Sequence, residues 1–166
     1  MKDKIIEKSI ELLSKNGLKF SVDDLASSLS ISKKTIYKYF SSKEELAMAV
    51  YTDIFSKARK AFDKYITDKK VTDLYSALFT YMNVVFFCRE ELFNRFSLND
   101  SMAEYANQTK KHLYSALEEY LSLIGLGNLT SNKAFPIMLD ASLEQISIRE
   151  DKEDLLGDLI SILLKK

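Results

Sequence analysis

The spacing of apolar residues predicts helices along most of the chain. Apolar positions recur every three or four residues with charged residues between them, which is the period of amphipathic helices. The predicted helices cover 3–16, a segment opened by Ser21, a segment opened by Ser32, a segment from Ser42 to about residue 65, 72–88, 90–99, 101–124, 131–149 and 152–165. Residues 125–128 are expected to form a loop. A single proline and four glycines leave few of the turn residues that a β-rich chain needs, so we expect an all-α fold.

Serines mark the starts of the short helices near the amino terminus. Ser21 and Ser42 are each followed three residues later by an acidic residue, which is the spacing of a capping box. Ser32 is suited to cap the helix that lies between these two. Residues 30–32 therefore separate two short helices, an arrangement typical of a helix-turn-helix.

The helix after Ser32 has the two faces that a DNA-reading helix needs, an apolar one toward its own core and a cationic one toward the major groove. Ile36 and Phe40 lie four residues apart, so both are expected to point inward. The residues left to face outward or along the groove are Lys33, Lys34, Thr35, Tyr37 and Lys38. This segment is therefore a candidate recognition helix for duplex DNA.

The charge distribution agrees with a polyanionic partner for the amino-terminal part alone. The net charge of the chain is zero, but residues 1–60 hold 12 basic and 8 acidic residues, a balance of +4. Residues 61–166 hold 12 basic and 16 acidic residues, a balance of −4. A basic module joined to an acidic remainder indicates a polyanionic partner for the module alone.

The residue types that carry most enzyme and metal chemistry are sparse. Cys88 is the only cysteine, which excludes a disulfide framework and a thiolate metal cluster. His112 is the only histidine, so a histidine metal cluster is excluded and a Ser-His-Asp triad is not expected. No nucleophile–base pair and no glycine-rich phosphate loop stand out. We therefore expect no enzymatic activity, no metal and no cofactor.

The chain also shows no sign of a membrane partner. No apolar run approaches the roughly 18 residues that a membrane-spanning helix needs. The basic start at residues 1–4 is not followed by the apolar region of a signal peptide. A cytoplasmic location is the expectation from these features.

The last predicted helix indicates a second subunit. Leucines and isoleucines occupy most of the circumference of residues 152–165, and such a helix must be covered on more than one side. A homodimer would supply that cover by packing this helix and 131–149 into a four-helix interface. The alternative is a helix buried within its own monomer. A dimer would also place two recognition helices about one DNA turn apart, where they read a palindrome.

One helix face is a candidate for ligand binding. In the helix over 101–124, apolar side chains share a face with tyrosine, threonine and histidine, a mixture suited to a small hydrophobic or amphiphilic effector. The candidate ligand-binding residues are Met82, Phe86, Phe96, Met102, Tyr105, Thr109 and His112. The alternative is that the aromatic residues belong to the core and that His112 lies at an ordinary helix interface.

The stretch ELLSKNGLKFSVDDLASSLSISKKTIYKYFSSKEELAMAV, which ends at Val50, resembles the DNA-binding domain of the TetR family of transcriptional regulators. The resemblance includes the Gly17 loop, the opening SVDDLA, the recognition segment SKKTIYKYF and the following SKEEL. Two positions depart from the family pattern. Ser30 stands where the family usually has glycine in the turn, and Tyr39 stands where many members have histidine.

The resemblance implies a three-helix, helix-turn-helix DNA-binding domain over 1–48 and a helical effector-binding and dimerisation domain over 49–166. It implies that Ser21, Ser32 and Lys43 bind backbone phosphates. It also implies that Lys33, Lys34 and Thr35 reach base edges, while Tyr37, Lys38 and Tyr39 contact the sugar-phosphate chain. The function it implies is that of a homodimeric repressor that binds a palindromic operator in double-stranded DNA and is released by a small effector. The alternative is a protein-binding adaptor on the same scaffold.

Overall fold

The computed structural model describes residues 1–16, 20–68, 73–96 and 100–165, and it confirms the all-α class. All regular secondary structure in these ranges is helical. The helices are α1 (Lys2–Asn16), α2 (Val22–Ser28), α3 (Lys33–Tyr37), α4 (Lys43–Thr67), α5 (Leu74–Phe87), α6 (Glu90–Phe96), α7 (Asp100–Leu123), α8 (Gly127–Thr130), α9 (Phe135–Ser147) and α10 (Lys152–Leu163). No helix in the described ranges is long and apolar enough to cross a membrane.

Most predicted helices are confirmed to within a few residues, and the main differences lie between α7 and α9. The segment predicted as a loop over 125–128 contains the start of the single-turn helix α8. Helix α9 begins at Phe135 rather than at 131, because Asn132 Oδ1 accepts a hydrogen bond from Ala134 N and Pro136 suits the first turn of a helix. Gly17, the predicted end of the first helix, and the predicted limits at 72 and 99 lie outside the described residues.

The long helix α4 connects the amino-terminal helices to the rest of the chain. It packs against α1, α5, α6 and α7. Its buried residues extend from Leu46 near the amino end to Phe62 near the carboxyl end. The helix is continuous across residues 48 and 49, so the predicted domain boundary lies within α4. Helix α4 therefore contributes buried residues to both the amino-terminal helices and the body.

A polar cluster fixes the position of α9 against α5 and α7. The buried Tyr81 on α5 donates a hydrogen bond from Oη to Asp140 Oδ1 on α9, at 2.8 Å. Lys110 Nζ on α7 lies 3.1 Å from Asp140 Oδ2. Burial, together with the nearby carboxylate, raises the pKa of Tyr81 well above its usual value, so the hydroxyl stays a donor. The cluster links α9 to both α5 and α7.

Candidate nucleic-acid interface

The two short helices α2 and α3 begin at the serines that the sequence indicates. Ser21 Oγ accepts a hydrogen bond from Asp24 N at 3.1 Å and donates one to Asp24 Oδ2 at 2.6 Å. Ser32 Oγ accepts from Thr35 N at 3.1 Å. Each serine occupies the N-cap and satisfies one of the backbone donors that a helix start leaves unpaired. The predicted caps are therefore confirmed.

The turn between α2 and α3 is a Schellman motif with a serine in the left-handed position. Ser30 N donates to Ser27 O, and Ile31 N donates to Ala26 O, which are the two hydrogen bonds that define the motif. Ser30 has a φ of 53°, a conformation that glycine adopts without strain. The departure of Ser30 from the family pattern therefore coincides with a strained backbone position inside the helix-turn-helix.

Helix α3 and the three residues that follow it separate their apolar and polar side chains as the spacing predicts. Ile36 and Phe40 are each only 1% exposed. Lys34, Lys38 and Tyr37 are exposed on the other side of the segment. Tyr39, beyond the end of the helix, is exposed as well. This surface combines cationic and phenolic groups, which are suited to phosphate oxygens and base edges.

An ion pair that the sequence analysis missed holds one of the candidate base-reading residues. Lys33 Nζ lies 2.7 Å from Asp23 Oδ1, and both side chains are exposed. The hydrogen bond to Asp23 raises the pKa of Lys33 above its usual value. Asp23 is ten residues from Lys33, in the first turn of α2, and a spacing of ten carries no signal of contact between two helices. Asp23 thus places a carboxylate within the cationic surface.

The start of α4 extends the same surface. Ser42 Oγ accepts from Glu45 N at 3.1 Å, and Glu45 Oε2 accepts from both Ser41 N and Ser41 Oγ at 2.6 Å. These hydrogen bonds to Ser41 lower the pKa of Glu45. Lys43, a candidate phosphate contact, is half-buried in the first turn of α4. The fixed start of α4 sets the position from which Lys43 extends.

Helix α1 contributes a further cation near the end of the recognition segment. Lys2 Nζ lies 5.2 Å from the centre of the Phe40 ring, within the range of a cation–π interaction. The sequence analysis missed it, because the contact joins two residues that are far apart in the sequence. The interaction connects the start of α1 to the end of the recognition segment.

The candidate ligand-binding residues occupy different environments. Met82, Phe86, Met102 and Thr109 are buried, whereas Tyr105 and His112 are exposed. The Tyr105 ring lies 5.8 Å from the Phe55 ring, and His112 lines a groove of about 260 Å³ between α4 and α7. Phe96 ends α6, and its side chain lies outside the described part of the chain. The assignment of these residues to a ligand stays a prediction.

The described residues form no group of three or more histidine, cysteine, aspartate or glutamate side chains arranged to hold a metal ion. Cys88 is half-buried, and its Sγ lies 3.5 Å from Ala106 O. Burial raises the pKa of the Cys88 thiol to about 12, which favours the thiol over the thiolate at neutral pH.

Comparison with known proteins gives matches in the amino-terminal part of the chain. Residues 5–50 match the family model described as bacterial regulatory proteins, tetR family. Over 60 residues the chain is 33% identical to an uncharacterized HTH-type transcriptional regulator, YvaF, of Bacillus subtilis (strain 168). That alignment covers 36% of this chain and 32% of the relative, so the chain matches less than half of the relative's length. No solved structure matches.

Proposed function

We propose that this chain, whose residues 5–50 match the model of the tetR family of bacterial regulatory proteins, is a sequence-specific DNA-binding transcriptional regulator of that family. The observation that carries the proposal is the division of residues 33–40, which comprise α3 and the three residues after it, into a buried side with Ile36 and Phe40 and an exposed side with Lys34 and Lys38. A short helix anchored in this way presents its cationic side to a groove without losing its own packing.

The proposed DNA contacts fall into two kinds. The helix starts at Ser21 and Ser32 offer hydroxyl groups and backbone N–H groups to phosphates, and Lys43 is proposed to contact another phosphate. Lys33, Lys34 and Thr35 lie in the first turn of α3 and are proposed to reach base edges. Tyr37, Lys38 and Tyr39 follow them and are proposed to contact the sugar-phosphate chain.

The exposed faces of α9 and α10 support a homodimer. Ile137 and Met138 on α9 are 72% and 66% exposed, and Ile162 on α10 is 63% exposed. Between the two helices runs an open groove of about 540 Å³, whose apolar lining includes Ala141 and Leu159. In contrast, Leu156 on α10 is fully buried within its own chain. Helix α10 therefore packs one side on its own monomer, and we propose that a second copy of the chain covers the other side.

Within this proposal the protein acts as a repressor that a small effector releases from a palindromic operator. A dimer that buries α9 and α10 places two copies of α3 on one duplex, and a palindrome follows from the two-fold symmetry. An adaptor that binds acidic proteins is the competing function for the same cationic surface, and it requires neither a duplex nor a palindrome.

Selection of bound duplexes from a random DNA pool tests the proposal. We expect a consensus of two inverted half-sites whose centres lie about one helical turn apart. The variant Lys34→Glu should lose the enrichment, whereas Lys60→Glu, which reverses the charge of an exposed lysine in the middle of α4, should keep it. A pool without enriched sequences would contradict DNA recognition and favour the adaptor. A single half-site without symmetry would contradict the dimer.

A further inference from the structure

A groove lies where the amino-terminal helix meets the body of the protein. Its volume is about 450 Å³, within the range of small-molecule sites, which is roughly 300–1,000 Å³. Helices α1, α4, α5 and α10 contribute its walls. Its apolar lining consists of Ile10, Ile54, Ala58, Ala61, Phe79 and Phe87.

The polar groups of this junction groove are mostly cationic or neutral. Lys57 on α4 and Lys152 on α10 line it, together with the neutral side chains of Ser14, Thr80 and Asn83. The described lining residues include no carboxylate. Asp53, one turn before Lys57, pairs with it at 2.7 Å and offsets one of the two positive charges. The groove thus combines an apolar interior with a net positive edge.

Lys152 connects the groove to α1. Its Nζ donates a hydrogen bond to Ser14 O at 3.4 Å, a long bond to a carbonyl in the last turn of α1. A carboxylate is a stronger acceptor for an ammonium group than a backbone carbonyl, because the bond is then assisted by both charges. An anion that enters the groove therefore competes with Ser14 O for Lys152.

We propose that the junction groove binds a small anion with an apolar body, of the class of medium-chain carboxylates. The hydrocarbon chain lies against the apolar lining, and the carboxylate pairs with Lys152 and Lys57. The Met82, Phe86, Met102, Tyr105 and Thr109 side chains are not among the lining residues of this groove, so the site differs from the one that the sequence indicates.

Occupation of the groove has a consequence for DNA that rests on the proposed function. Ile10 and Ser14 belong to the segment that matches the DNA-binding family, whereas the other walls of the groove belong to α4, α5 and α10. A ligand between the two parts changes DNA affinity only if it binds the free and DNA-bound arrangements differently. We infer such a difference at the Lys152–Ser14 contact, which the ligand breaks and which joins α10 to a helix of the DNA-binding segment. By linkage, DNA must then lower the ligand affinity by the same factor.

Isothermal titration calorimetry with decanoate, below its micelle concentration and without DNA, tests the site itself. We expect one saturable site per chain, with decan-1-ol and decyltrimethylammonium at least tenfold weaker. Lys152→Gln should weaken decanoate binding about tenfold, as expected for the loss of a charge-assisted contact. Ala61→Leu should abolish binding by filling the groove, and Lys60→Gln, a change outside the lining, should leave it unchanged.

The results separate the site from its effect on DNA. Absence of saturable decanoate binding, equal binding of the alcohol, or binding that Lys152→Gln and Ala61→Leu both leave intact would overturn the proposed site. A thermal melting curve for each variant shows whether it is folded. If Ala61→Leu does not fold, the decanoate affinity of Lys152→Gln alone decides whether the proposed site is correct. A second experiment measures the affinity of the protein for a selected duplex with and without decanoate. An unchanged affinity would overturn the coupling, and a failure to bind any duplex would overturn the proposed function while the calorimetric result stands.

Discussion

The recognition segment and the α9–α10 pair both leave large side chains in solvent, but the side chains are of opposite kinds. Around α3 the exposed groups are lysines and tyrosines such as Lys34 and Tyr37. On α9 and α10 the largest exposed side chains are apolar, with Ile137 and Ile162 the clearest cases, and the polar residues Gln145 and Asp158 lie beside them in the groove between the helices. A cationic surface gains from a polyanion that releases counterions, whereas an apolar surface gains only from another apolar surface. The comparison supports the proposal that DNA contacts the first region and that a second copy of the chain covers the other.

The largest expected effect comes from a charge placed on the apolar face. Ile162→Glu should raise the dimer dissociation constant by on the order of 100-fold or more, because burial of an unpaired carboxylate costs several kcal/mol and two-fold symmetry introduces it twice. The affinity for a palindromic duplex should fall as the dimer dissociates, although no proposed DNA contact has changed. Sedimentation velocity measures the first effect, and a gel-shift titration measures the second.

A matched control for this variant lies at the end of α7. Leu123 is 51% exposed, so Leu123→Glu makes the same chemical change on an exposed leucine outside α9 and α10. We expect its sedimentation to equal that of the unmodified protein. If Ile162→Glu stays as dimeric as Leu123→Glu, the α9–α10 face is not the interface.

The ends of α2 and α7 provide the next comparison. They share one hydrogen-bond pattern, but they have different residues in the left-handed position. At the end of α7, Gly125 N donates to Ser122 O and Leu126 N donates to Leu121 O, as Ser30 N and Ile31 N do at the end of α2. Gly125 has a φ of 83°, and Ser30 has a φ of 53°. The body therefore uses glycine at this position, while the recognition segment holds a strained serine.

Substitutions at these two positions should change the free energy of unfolding in opposite directions. Ser30→Gly should raise the free energy of unfolding by about 0.5–1 kcal/mol, since relief of the left-handed strain exceeds the added chain entropy of glycine. Gly125→Ala should lower it by about 1 kcal/mol through strain alone, because a Cβ at this position meets no atom within 4 Å. Urea denaturation of both variants checks the pair. A destabilised Ser30→Gly variant would show that the serine side chain stabilises the turn in another way.

The smallest expected effect concerns the carboxylate within the cationic surface. Asp23→Asn removes the partner of Lys33 and a negative charge near the proposed phosphate contacts. Affinity for duplex DNA of arbitrary sequence should rise about threefold, which is the scale of an exposed charge contact. Asp151→Asn, which breaks the exposed pair with Arg149, is the control and should leave the affinity unchanged. A lower affinity for Asp23→Asn would mean that Asp23 orients Lys33 for binding.

The sequence was most informative where a structure depends on neighbouring residues. Ser21, Ser32 and Ser42 cap helices through contacts three residues away, so the starts of α2, α3 and α4 were predictable. The inward direction of Ile36 and Phe40 followed from the helical period in the same way. These local signals sufficed for the all-α class and the position of the helix-turn-helix.

Contacts between residues that are far apart in the sequence could not be predicted from local spacing. The Asp23–Lys33 ion pair and the Lys2–Phe40 contact depend on how helices pack, which no local spacing encodes. The face shared by Tyr105 and Thr109 has one exposed and one buried member, because neighbouring helices cover only part of α7. The junction groove lies among four helices and was invisible in the pattern of any one of them.

The salt dependence of affinity for a selected duplex tests the central claim most directly. If residues 21–43 grip phosphates, the logarithm of the association constant should fall linearly with the logarithm of salt concentration, with a slope of about −0.9 per phosphate neutralised. Lys38→Gln should make that slope shallower by about 1, which corresponds to one lost phosphate contact. An affinity that does not change with salt, or a slope that Lys38→Gln leaves unaltered, would contradict the assignment of this segment to the DNA backbone.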